Sequence, residues 1–319
     1  MRARSIEVLA CPVCRGPLSS DSANEGDIES GTLSCSFHGV DYPIVNGIPR
    51  LVAPDRIREV EAFASSYAAA WAKDGWGSAD PQYLLGLPFV DSTHRRTAEW
   101  RFKSRSMSAL LAFLNGIQSK VVIDLGAGVG WLAYHLARLG AVVFAMDLLL
   151  DNALGLGAAV EYLKTGVLFE RVWGDLDRPP FLSEAADVVV CNASLHYARD
   201  LPGSLSEISQ ILAPGGLFIL MNSPMHEDEA SGIRAEADFR SRLRRLGAID
   251  EVTSTYHHFI RRTLESQVRA AIGPLTEVRF PTGLLFQSKR VAKATLLRME
   301  LASFPLLYAR KPVRCAPHE

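Results

Sequence analysis

Residues 121–130 read Val-Val-Ile-Asp-Leu-Gly-Ala-Gly-Val-Gly, and Asp147 closes a second apolar run, Val142 to Met146. The pattern is a buried strand, a glycine turn, a helix and a second strand ending in a carboxylate, which commits the chain to a parallel α/β sheet. Glycine lets backbone approach a ligand closely, and an acid at the tip of the second strand can accept both hydroxyls of a ribose. The stretch is therefore the front half of a nucleotide-cofactor site. A dinucleotide fingerprint, G-x-G-x-x-G, needs glycine at 131, where Trp131 stands; the pattern here is D-x-G-x-G-x-G, which argues against NAD. Asp124, at the strand tip before the first glycine, would repel a pyrophosphate and attract an amino-acid ammonium or a sulfonium-bearing tail.

Asp124 to Gly130 resembles motif I of the class I S-adenosyl-L-methionine (SAM)-dependent methyltransferases, of the type 11 kind. The resemblance continues in order. Asp147 follows its strand, Gly174-Asp175-Leu176 precedes Pro180-Phe181, and the runs Asp187 to Asn192 and Leu212 to Leu220 each fall at the end of a successive βα unit. It implies an α/β, Rossmann-like fold with a seven-stranded, mostly parallel sheet, SAM as cofactor, and methyl transfer as activity. By the same resemblance Asp124 and the amides around Gly126, Ala127, Gly128 and Gly130 hold the methionine part of the cofactor, and Asp147 accepts the ribose hydroxyls. Leu148 packs on the adenine, Asp175 with the Leu176 amide reads it, and Asn192 closes the pocket beside the sulfonium.

Methyl transfer from a sulfonium disperses charge in line, so alignment and exclusion of water matter more than a strong acid or base. Asn192-Ala193-Ser194-Leu195 is not the Asn-Pro-Pro-Tyr loop of amino-group methyltransferases acting on adenine or glutamine, and Cys191 lacks the preceding proline of cytosine-C5 enzymes. Cys191 reads instead as a buried, inert thiol. His196 is the candidate for proton chemistry, its intrinsic pKa being suited to relieve a hydroxyl or amine of its proton. The alternative is a histidine that hydrogen-bonds loop backbone to shape the pocket, and Tyr197 competes for either role.

Three of the five cysteines lie in the first 35 residues, in two similar knuckles: Cys11-Pro12-Val13-Cys14 and Cys35-Ser36-Phe37-His38. Paired soft ligands two residues apart aim at one tetrahedral ion, so Cys11, Cys14, Cys35 and His38 read as a Cys3His zinc ribbon, whose small core needs the metal. Residues 40–52 then resemble the YPI-x-x-GIP hairpin of small zinc-ribbon proteins that activate tRNA, rRNA and release-factor methyltransferases. In that family the ribbon can lend a strand to a partner enzyme; fused here, the resemblance implies a stabilising or substrate-presenting role.

The chain divides into a zinc-ribbon module at 1–53, an aromatic-rich helical linker or lid at 54–118, and a methyltransferase domain at 119–319 with a substrate-side insertion at 225–260. At 319 residues and 48% hydrophobic, with no run of bilayer length and no signal-like apolar stretch before Cys11, it is expected to be cytoplasmic with no membrane partner. The net charge of −1 conceals an asymmetry: residues 1–230 hold 18 Lys+Arg against 27 Asp+Glu, and residues 231–319 hold 16 against 8. The clusters Arg240, Arg242, Arg244, Arg245 and Arg261, Arg262 could grip phosphate or an acidic substrate. A small-molecule acceptor is the leading expectation. An RNA methyltransferase and a non-catalytic SAM-binding scaffold are the alternatives, and oligomeric state is left open.

Overall fold

The computed structural model describes residues 1–21, 26–281 and 301–313. The N-terminal module carries strands β1 (Ser19–Ser20), β2 (Ser30–Cys35), β3 (Val40–Val45) and β4 (Ile48–Leu51). Helices α1 (Ile57–Lys73), α2 (Pro81–Gly86) and α3 (Thr97–Phe113) follow. The α/β region then runs β5 (Val121–Leu125), α4 (Trp131–Arg138), β6 (Val142–Asp147), α5 (Val160–Leu163), β7 (Glu170–Gly174), β8 (Ala186–Asn192), α6 (Leu201–Ile211) and β9 (Leu212–Met221). An excursion of β10 (Met225–His226), α7 (Glu229–Leu246), α8 (Asp250–Thr255) and β11 (Phe259–Ile260) leads to α9 (Arg261–Ala271), β12 (Thr276–Val278) and β13 (Leu306–Arg310).

The seven strands expected from the sequence lie side by side as β7-β6-β5-β8-β9-β13-β12, with β13 antiparallel to β9. The sheet is nevertheless eleven-stranded, because β4 pairs in parallel with β7 (Arg50 opposite Trp173, Leu51 opposite Gly174) and carries β3, β2 and β1 with it. The physical reason is the edge. β7 is buried at every position, and an unpaired buried strand would leave its backbone donors and acceptors unsatisfied. An ion pair reinforces the join: Glu170, 3% exposed, accepts from Arg2 Nε at 2.6 Å and from Ser5 Oγ at 2.7 Å. Arg171 reaches the other way, donating to the Asn46 carbonyl at 2.8 Å.

Successive residues of the central strands feed opposite faces, as a sheet covered on both sides requires. Val122, Val188 and Val190 pack with Trp100, Met107 and Leu110 under the linker helices. Ile123, Val189 and Cys191 belong to the other core, which is continuous with Leu9, Leu33 and Ile44 of the N-terminal module. Local chemistry sets the helix ends. Asp228 caps α7 by accepting from the Ser231 amide, and Gly247 ends it in the left-handed conformation at φ 92°. Among the described residues no helix is long and apolar enough to cross a membrane.

Candidate active site

A cavity of about 810 Å³ opens beyond the C-terminal ends of β5, β6 and β8, where parallel sheets place their ligands. One end is built by the glycine turn after β5. Gly126 sits at φ +78°, and a Cβ there would come 2.3 Å from the Ser194 Cβ, so the turn approaches the β8 loop as only glycine can. The turn amides are engaged within the protein: Gly126 and Ala127 donate to the Met146 carbonyl, Gly128 to Asp147 Oδ2, and Gly130 to the Ala127 carbonyl. Three of these amides thus brace the turn against β6 and the Gly130 amide closes the turn on itself.

The three acids expected around the cofactor separate into three environments. Asp147 lines the cavity, its Oδ2 accepting from Gly128 at 2.7 Å and its Oδ1 from Leu149 at 2.8 Å. Burial outweighs these amides and pushes its carboxyl up to about 6. Asp124 is fully buried, is not among the cavity-lining residues, and neither of its oxygens completes a hydrogen bond of normal geometry, the Ala133 amide easing its charge only in part. Desolvation, with the Asp147 charge adding to it, pushes Asp124 up to about 8. Asp175 is drawn aside to Arg56 at 2.9 Å and Arg199 at 3.5 Å, so Gly174 and Leu176 supply the cavity wall at that strand tip. Leu148 and Asn192 do line the cavity. Asn192 is held from behind, accepting from Asn222 Nδ2 at 2.8 Å, while Asn222 accepts from Ser106 at 3.0 Å.

The other end is aromatic. α1 contributes Tyr67 and Trp71, the turn after it Trp76, α3 Trp100, and the excursion Phe239 and Tyr256. Trp76 lies 5.9 Å from Trp71 and 5.7 Å from Trp100 between ring centroids, and Phe239 stacks on Tyr256 at 4.1 Å. Asp74 ties the wall together by receiving both Arg96 and Arg242. His196 borders this space, 6% exposed, with Nδ1 3.1 Å from Ser223 Oγ and its carbonyl accepting from the His257 amide. Burial pushes its ring down to about 3, with the neighbouring His258, Lys103 and His257 acting in the same direction.

Sequence reasoning missed Lys103, Arg56, Asp74 and Asn222. Each acts through a contact across the fold, and none belongs to a local pattern. The arginine clusters of the C-terminal third are largely paired: Arg240 with Glu236 at 2.9 Å, Arg242 with Asp74, Arg244 with Asp250 at 3.7 Å, and Arg261 with Glu227 and Glu277.

In the N-terminal module the Cys11, Cys14 and Cys35 sulfurs lie within 4.8 Å of one another. His38 is not brought to them. Its turn is closed by the Gly39 amide on the Cys35 carbonyl, and the side chain stays exposed. The Tyr42 hydroxyl lies 3.2 Å from Cys11 Sγ.

Residues 123–220 match the family described as a methyltransferase domain, and residues 3–47 match the Trm112p-like proteins. The biotin biosynthesis bifunctional protein BioHC of Saccharophagus degradans is 31% identical over 135 residues, covering 41% of this chain and 23% of that protein. The UPF0434 protein of Histophilus somni is 42% identical over 57 residues, 18% of this chain and 78% of that protein. Haemonchus contortus phosphoethanolamine N-methyltransferase 2, solved in complex with SAM, shares the fold at TM-score 0.50 and 16% identity over 72% of this chain and 59% of its own. The chain spans 23%, 27% and 40% of the length of the first curated relatives that it matches.

Proposed function

We propose that this chain, in which residues 123–220 match a methyltransferase domain and residues 3–47 the Trm112p-like proteins, transfers the methyl group of SAM to a small molecule held in the aromatic half of the cavity. The observation that carries this reading is Asp147. Its oxygens accept the Gly128 and Leu149 amides, and the residue lines a cavity bordered by a glycine turn, a placement that suits the paired hydroxyls of a ribose. Leu148 and Leu176 then flank the adenine, and Asn192 borders the reacting end. SAM supplies an electrophilic methyl on a sulfonium. The residues of this chain orient it, keep water out and receive the acceptor.

Asp124, buried with neither oxygen in a hydrogen bond of normal geometry, suits a cation reached through the turn, so a cofactor ammonium nearby would favour its charged form. His196 shapes the pocket rather than shuttling protons, since a ring held neutral by burial and bonded to Ser223 is a weak base. The pairing of Arg240, Arg242, Arg244 and Arg261 with nearby acids favours a small acceptor over RNA, because paired guanidiniums have less to offer a phosphate backbone. We propose a zinc ion on Cys11, Cys14 and Cys35, whose sulfurs lie within 4.8 Å of one another, with His38 outside that cluster.

Calorimetric titration with S-adenosylhomocysteine tests the core of this reading. The wild-type protein should bind it and Asp147→Ala should bind at least ~10-fold more weakly, as loss of charge-assisted hydrogen bonds predicts. Failure of both SAM and S-adenosylhomocysteine to bind the wild type refutes it. Mass spectrometry of extracts incubated with protein and SAM should then reveal a metabolite heavier by one methyl group.

A further inference from the structure

The charges that face the cavity are unequally matched. Asp74 has two guanidinium partners, and Glu99 pairs with Arg96 at 3.1 Å. Lys103 on α3 is different. Its Nζ lies 5.3 Å from the Trp76 ring centroid and 5.2 Å from that of Trp100, with no ion pair or hydrogen bond among the described residues. Burial against the two indoles pushes the half-buried ammonium down to about 8, outweighing the pull of the Glu99 charge, whose carboxylate pairs with Arg96 instead. Beside it the Trp76 indole N–H is buried without a hydrogen-bond partner. The Trp71 N–H and the Tyr197 hydroxyl, which face one another, complete no hydrogen bond of normal geometry.

We propose that this half of the cavity binds a flat aromatic acceptor carrying an anionic oxygen, a carboxylate or a phenolate, with Lys103 as the residue that recognises the charge. The inference deepens the methyl-transfer reading and rests on it for what occupies the neighbouring half. Three observations select this chemistry. The unmatched groups are donors, an ammonium and indole N–H groups, and they call for oxygen acceptors. A cationic acceptor is disfavoured, because the aromatic faces that would bind it already carry cations: Arg96 lies 5.2 Å from the Trp76 ring and Lys103 sits over both Trp76 and Trp100. Of the remaining walls, Tyr197 meets Tyr67 and Tyr256 edge to face and Trp71 is tilted against Tyr67, so these four do not stack on one another and leave ring surface for a planar guest. A cavity of about 810 Å³ lies toward the upper end of the range of about 300–1,000 Å³ that holds one drug-sized ligand, leaving space for such a guest beside a cofactor.

The test is calorimetric titration of the full chain, saturated with S-adenosylhomocysteine, using 2-naphthoate, its neutral isostere 2-naphthamide, the non-planar cyclohexanecarboxylate and a naphthyl-trimethylammonium cation. Naphthoate should bind at least ~10-fold more tightly than the other three, the worth of one desolvated charged hydrogen bond. Lys103→Met should erase that preference while leaving S-adenosylhomocysteine affinity within ~2-fold, and Lys103→Arg should retain most of it. Where the Met variant no longer binds S-adenosylhomocysteine, Lys103→Gln replaces it as the uncharged variant. Equal binding of acid and amide, preference for the cation, or an unchanged preference in the uncharged variant overturns the proposal. Failure of the wild type to bind S-adenosylhomocysteine sinks the methyl-transfer reading instead, and the acid-over-amide comparison on the ligand-free protein still judges Lys103 separately.

Discussion

Asp124 carries a cost in the ligand-free protein that a solvated aspartate would not. Held up to about 8, far above the ordinary carboxylate range, it binds its proton more tightly folded than unfolded. Its stabilising contribution is therefore complete below pH ~4 and is lost as pH rises toward 8, with Asp147, at about 6, adding to the loss over the lower part of that range. Thermal unfolding from pH 5 to 9 should show a falling midpoint in wild-type protein and a flatter profile in Asp124→Asn, with the variant the more stable of the two at pH 9. A wild-type midpoint constant across the range contradicts the burial. His196 yields a second expectation. With the ring pushed down to about 3, any limb of kcat/KM near pH 6, where Asp147 titrates, should persist in His196→Ala, and a limb that disappears in that variant would restore the proton-transfer role. The motif marked both residues, but their protonation follows from burial and neighbouring charge, which local pattern does not encode.

At the scale of elements, the pairing of β4 with β7 turns two modules into one sheet. Glu170, beneath that join, accepts from Arg2 and Ser5, so Glu170→Ala leaves a half-buried guanidinium unpartnered; urea denaturation should register a loss of about 3 kcal/mol. A loss below ~1 kcal/mol would mean that the edge is held by backbone pairing alone. The glycine turn is as exacting. Gly126→Ala combines a positive φ with a 2.3 Å approach to Ser194, and should abolish S-adenosylhomocysteine binding even where circular dichroism reports a folded sheet. The turn and its strands were legible because apolar run, glycine and carboxylate follow one another within a single βα unit. The β4–β7 pairing was not, since it joins residues more than a hundred positions apart.

For the molecule as a whole, the N-terminal module both gathers three cysteines and covers the edge of the sheet. Metal analysis should find zinc near one equivalent per chain, and Cys11→Ser with Cys14→Ser should remove it while His38→Ala should not. A chain beginning after residue 53 would expose β7, buried at every position, and should aggregate on size-exclusion chromatography. The sequence by itself determined the order of βα units, the glycine cradle, the carboxylate at the tip of β6 and the knuckle cysteines, because each is written in neighbouring residues with a fixed period or spacing. Only the tertiary structure decided that Asp175 turns to Arg56, that His38 stays outside the thiol cluster, and that Lys103 stands unmatched among tryptophans. Those outcomes depend on which distant side chains compete for the same charge or space, and that competition exists only once the elements have packed.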